Sequence, residues 1–96
     1  MYSYTVRIEM HSNVFLNFSL LHIKMAGEGF SRTIVADNAV EYHLPRATYV
    51  IRGTHLSLSQ VLEAATRALA GTGQTGEVLV SQTSTWRWSG LAPVKR

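Results

Sequence analysis

Apolar and polar positions alternate strictly at the start of the chain. Tyr2, Tyr4, Val6, Ile8 and Met10 are interleaved with Ser3, Thr5, Arg7 and Glu9. This period of two predicts a half-buried strand. His11-Ser12-Asn13 then reads as a turn, because Asn tolerates the left-handed conformation that a three-residue hairpin loop requires. In that register Met10 faces Val14, Ile8 faces Leu16, Val6 faces Phe18 and Tyr4 faces Leu20, all apolar pairs. A two-residue loop would instead set Ile8 against Asn17 and Val6 against Ser19, so the longer loop is preferred.

After Leu20 the apolar phase changes to Leu21, Ile23 and Met25, which a bulge at Leu20-Leu21 accommodates. The change leaves Phe15, Leu21 and Ile23 on a second face that needs a cover. Gly27-Glu28-Gly29 breaks the pattern. A second hairpin is expected over 30–44, turning at Asp37-Asn38 with a two-residue loop. That loop pairs Val35 with Val40 and Thr33 with Tyr42 on the core side. Ile34 with Glu41, and Arg32 with His43, fall on the other. Pro45 ends the hairpin, and Ala47 to Arg52 forms a short strand buried on both faces.

Helical spacing replaces strand spacing after Ser57. Ser57 and Gln60 have the spacing of a capping box. Leu58, Val61, Leu62, Ala65, Ala68 and Leu69 fall on one stripe, with Glu63 and Arg67 four apart on the opposite side. Gly71 suits the helix end. A polar loop leads to a final strand from Glu77 to about Trp88, and 91–96 reads as a flexible tail. The expectation is one α+β domain over 1–96. An antiparallel sheet of five to six strands packs on one amphipathic helix, in the order β-β-β-β-β-α-β.

Composition narrows the picture. The chain has 96 residues, 46% of them hydrophobic and 16% charged, with no cysteine. That is a globular composition without disulfide or thiolate chemistry. Val14 to Met25 is the most apolar stretch, shorter than the ~18 residues of a spanning helix and broken by polar residues. The N-terminus lacks the pattern of a signal peptide, so no membrane contact and a cytoplasmic location are expected. The net charge is +3, which suits nucleic acid or an acidic protein.

No motif fixes a reaction. Gly71 to Gly76 spells G-x-G-x-x-G, but the loop leaves a helix and enters a strand, the reverse of a phosphate-binding arrangement. His11, His22, His43 and His55 lack metal-ligand spacing, so no metal and no cofactor are expected. No nucleophile elbow or carboxylate pair stands out. Trp86-Arg87-Trp88 is the most suggestive triplet. In a strand its indoles share one face, where they either close the core or meet a partner.

Two functions follow. The first is a non-enzymatic protein-binding module, an inhibitor or adaptor acting by steric occlusion through Trp86, Arg87, Trp88, Phe15, Leu21 and Ile23. Spare apolar surface also suggests a homodimer. In size and style the chain resembles phage and mobile-element accessory proteins such as anti-CRISPR proteins, a likeness that no motif carries. The second is a nucleic-acid binder using Arg7, Arg32, Arg46, Arg52 and Arg87 beside the aromatics. A ligand- or metal-dependent enzyme is a third class, supported by no spacing.

Overall fold

The alternating N-terminal residues form strand β1, Tyr2–His11, in a computed structural model that describes residues 1–11 and 17–95. After β1 come helix α1 (Phe18–Gly27), strands β2 (Thr33–Val35), β3 (Glu41–His43) and β4 (Thr48–Thr54), helix α2 (Leu58–Ala70) and strand β5 (Thr75–Gln82). The protein is α+β, with one three-stranded antiparallel sheet in the order β4-β1-β5 and one two-stranded sheet, β2-β3. The single sheet of five to six strands expected from the pattern is therefore divided, and there are two helices rather than one.

β1 is the central strand. Val6 lies between Tyr49 of β4 and Val80 of β5. Ser31 bridges Val50 on the far side of β4, with N–H to O distances of 2.8 and 2.9 Å in the two directions. The connectivity is thus that of two interlocked split β-α-β units, the ferredoxin-like pattern, with Ser31 standing where a fourth strand would run.

The return strand expected over Val14–Leu20 is overturned where it is described. Phe18 to Gly27 is helical, so Val6 and Tyr4 do not pair with Phe18 and Leu20. The side chain of Asn17 caps α1, its Oδ1 accepting from Leu20 N at 3.0 Å. Phe18, Leu21 and Met25 turn to the core, Leu21 and Met25 fully buried. Their spacing of three and four is helical. The supposed bulge at Leu20-Leu21 was the mismatch between a 3.6-residue period and a period of two. Apolar residues also occupy the outer face, notably Ile23, so the sequence shows no clean amphipathic stripe.

The second hairpin forms, but one residue out of the expected register. Thr33 pairs with His43, Ile34 with Tyr42 and Val35 with Glu41. The loop has three residues because Ala39 takes the left-handed conformation (φ 67°) and Asn38 Oδ1 accepts from Val40 N. Shifting by one exchanges the faces. Ile34 is buried, while Val35 and Val40 are exposed.

α2 begins with the expected capping box. Ser57 Oγ accepts from Gln60 N, and Gln60 Oε1 accepts from Ser57 N. Its buried face is Val61, Ala64, Ala65, Ala68 and Leu69, with Leu58 and Leu62 half-exposed. These small side chains let α2 lie close to the sheet and to α1. Arg67 pairs with Glu28 at the end of α1, at 2.8 and 2.9 Å. The core lies between the two helices and the Tyr4, Val6, Ile8 and Met10 face of β1.

β5 ends at Gln82, short of the expected Trp88. The segment beyond it runs back along β3, where His43 N donates to Ala92 O and Val94 N to Glu41 O, each at 2.9 Å. No helix among the described residues is long and apolar enough to cross a membrane.

Candidate functional site

The turn between β3 and β4 creates the most distinctive surface. Pro45 O accepts from Thr48 N at 3.0 Å, and Ala47, buried, takes φ 62° while its carbonyl accepts from Ile8 N at 3.0 Å. The turn is thereby locked to β1, leaving Arg46 at its outer corner. The Arg46 guanidinium sits over the Phe18 ring, 4.5 Å from its centroid, a cation–π contact that orients the charge.

Arg46 separates two open depressions. One, of about 260 Å³, is lined by Arg7, Glu9, Met10, Phe18 and Ala47. The other, of about 280 Å³, is lined by His22, Arg32, His43, Pro45 and Thr48. Three arginines and two histidines therefore border one continuous end of the fold. No carboxylate of a described residue lies within ion-pair distance of Arg7, Arg32 or Arg46.

His22 lines the second depression and is braced from the core by buried Tyr49. His22 Nδ1 and Tyr49 Oη are 2.7 Å apart. Burial, and secondarily the Arg32 charge, lowers the His22 pKa from its ordinary value. Burial raises the Tyr49 hydroxyl to about 12, opposed by Arg32. Tyr49 thus keeps its proton at neutral pH, and neutral His22 can accept that hydrogen bond at Nδ1. The hydrogen bond fixes the imidazole in the depression that Arg32 and Arg46 also line.

The tryptophans are placed differently from the expectation. Neither lies in a strand, and both are half-buried. Trp86 Nε1 donates to Thr5 Oγ1 at 3.0 Å, which pins it against β1. Trp88 packs on Tyr42, with ring centroids 5.4 Å apart. Together they seal the seam between the larger sheet and the β2-β3 hairpin. A cleft of about 110 Å³ remains beside them, bordered by Ile34, Asp37, Arg52 and Arg87. That is the volume of a few water molecules. Arg52 stands over Trp86 at 5.2 Å and donates to Val35 O at 3.3 Å, so it is held within the fold.

The five arginines consequently form two groups, Arg7, Arg32 and Arg46 at one end, and Arg52 and Arg87 beside the indoles. The expected protein-binding set is not brought together. Leu21 is fully buried in the core and is no surface residue, a correction that follows from its place on the inner face of α1. Ile23 is 66% exposed on the outer face. Phe15 lies outside the described residues.

The glycine-rich loop has a structural explanation. A side chain at Gly76 would collide with the Glu9 backbone carbonyl of β1, and Gly73 needs φ 75°. These glycines serve a turn and a close strand approach. Among the described residues no group of three His, Asp or Glu side chains could hold a metal ion. His22, His43 and Tyr49 were missed as site residues. The available signal was Phe18 and His22 four apart, visible only once that segment is read as a helix.

No protein-family model matches the chain, and a search of curated proteins finds no match.

Proposed function

We propose that this protein is a non-enzymatic binding module that receives the phosphate backbone of a nucleic acid at its Arg7-Arg46-Arg32 end. The observation that carries this reading is the convergence, on two adjoining depressions, of three arginines that have no carboxylate partner among the described residues. Guanidinium groups suit phosphate oxygens through bidentate hydrogen bonds. Phe18 holds Arg46 outward, so less side-chain freedom is lost on binding. The surface is an open one, suited to an extended strand rather than an enclosed small molecule. No cofactor or metal enters the proposal.

Fluorescence anisotropy with labelled single-stranded RNA and DNA tests it. Binding at low salt should weaken with a log–log slope of about −2, three phosphate contacts at roughly 0.7 each on a single strand. Absence of binding to any oligonucleotide at 20 mM salt and 100 μM protein, both about the practical extremes for so charge-dependent an interaction, sinks it.

The second reading is a protein-binding inhibitor or adaptor of phage accessory style, acting by steric occlusion. Exposed Ile23 favours it, as an apolar anchor on a helix face. Affinity through such an anchor would be nearly independent of salt.

A further inference from the structure

We infer that two copies of this chain pair through the outer edges of their β5 strands, joining their sheets across a two-fold axis. This inference is independent of the nucleic-acid reading.

Hydrogen bonding fixes which groups of β5 face outward. Ile8 N donates to Ala47 O on the β4 side of β1, while Ser3 O accepts from Thr83 N on the β5 side. Successive residues of a strand point their backbone groups to opposite edges. Odd-numbered residues of β1 therefore face β5, and their partners Glu77, Leu79 and Ser81 face back. Gly76, Val78, Val80 and Gln82 turn N–H and C=O away from β1. β5 is the end strand of its sheet, so among the described residues these groups meet no further strand. β5 also lacks the lysines and prolines that commonly protect such an edge.

The edge is complementary to itself in one register. With Leu79 opposite Leu79 of the second copy, Val78 meets Val80 and Gly76 meets Gln82. Every outward residue then joins a mutually hydrogen-bonded pair. Leu79, 68% exposed in the single chain, is covered by its counterpart. Glu77 faces Ser81. Sliding the strands in one direction sets Glu77 against Leu79 and then against Glu77, placing a carboxylate first on an apolar side chain and then on a like charge. Sliding them the other way leaves outward groups at the strand end unpaired.

The helix layer agrees. α1 adjoins α2 on the side of Arg67 and Gly71, where Glu28 and Lys24 lie. Leu58 and Leu62 sit about half a helical turn round from those residues, on the side toward the β5 edge, and both are half-exposed. A second copy across that edge brings its own Leu58 and Leu62 against them. One operation thus accounts for an unpaired strand edge, an exposed leucine on one sheet face and two on the other. A peptide of unrelated sequence would account only for the edge.

Sedimentation equilibrium of the full chain, from micromolar to millimolar protein, tests the inference. The expected mass is twice 10.7 kDa, with Leu79→Lys weakening association at least ten-fold. Gln82→Pro removes one outward donor at the strand end and should also weaken it. Circular dichroism should show both variants folded. Amide exchange at Val78 and Val80 should slow as concentration rises. A monomer throughout the range overturns the inference. So does a dimer that Leu79→Lys leaves intact, or one whose Val78 and Val80 amides exchange no slower than in the dilute protein.

Discussion

The guanidinium of Arg46 lies 4.5 Å from the centroid of the Phe18 ring, linking the β3-β4 turn to the first turn of α1. The contact fastens the turn to the helix layer and aims a positive charge at solvent. Phe18→Leu keeps an apolar side chain at the core margin but removes the ring face. It should cost about 0.5–1 kcal/mol of stability, the range of an exposed cation–π contact, read from urea denaturation. Arg46→Ala should also weaken oligonucleotide binding and reduce the single-strand salt slope by about 0.7.

His22 supplies a pH signature. Its folded pKa is below the ordinary value of 6.5, through burial first and Arg32 second. The unfolded chain therefore takes up a proton at a higher pH than the folded chain does. Stability should fall as pH drops from 6.5 to the folded pKa, and level off below it. Arg32→Ala removes the smaller cause, so NMR titration should place the His22 pKa higher than in the parent chain but still below 6.5. An unchanged titration would separate Arg32 from this site.

Glu28 and Arg67 give a response in the acid range. The Arg67 hydrogen bonds hold the Glu28 carboxyl below its ordinary value of 4.5. A depressed carboxyl stabilises the fold above its unfolded pKa and loses that effect as pH falls through the folded one. Arg67→Ala should melt lower than the parent chain at pH 7. The two melting curves should converge below the usual carboxylate range. A constant difference across pH would point to the Arg67 alkyl stem rather than the ion pair.

Leu21 and Ile23 are two residues apart and should behave oppositely. Leu21→Ala opens a cavity in a fully buried site and should cost about 2–5 kcal/mol. Ile23→Ala, at an exposed position, should stay within about 0.5 kcal/mol. Equal losses would return this segment to a strand-like arrangement with both residues covered.

Much of the fold was legible where one period dominates. β1 and α2 each carry a clean pattern, and Ser57 with Gln60 marks the start of α2 in the sequence itself. α1 was not legible because Leu20, Leu21, Ile23 and Met25 surround the helix, and short windows of such a run also fit a strand. The β2-β3 register turned on Ala39, since a left-handed alanine has no signature in the sequence. β1 pairs with residues more than forty positions away, which no local pattern reveals. The site was half legible. Each arginine was visible, but their division into two groups depends on the β3-β4 turn and on Arg52 being held by Trp86.

Because β1 occupies the middle of the sheet, the order of synthesis matters. Its neighbours are Thr48–Thr54 and Thr75–Gln82, so β1 leaves the ribosome well before β5, the strand that completes its sheet. At 5–20 residues per second, roughly 4–14 s separate the two events. Tyr4, Val6, Ile8 and Met10 spend that interval without their β5 partners. A nascent chain stalled before Thr75 should recruit hydrophobic-binding chaperones, and one released after Gln82 should escape them.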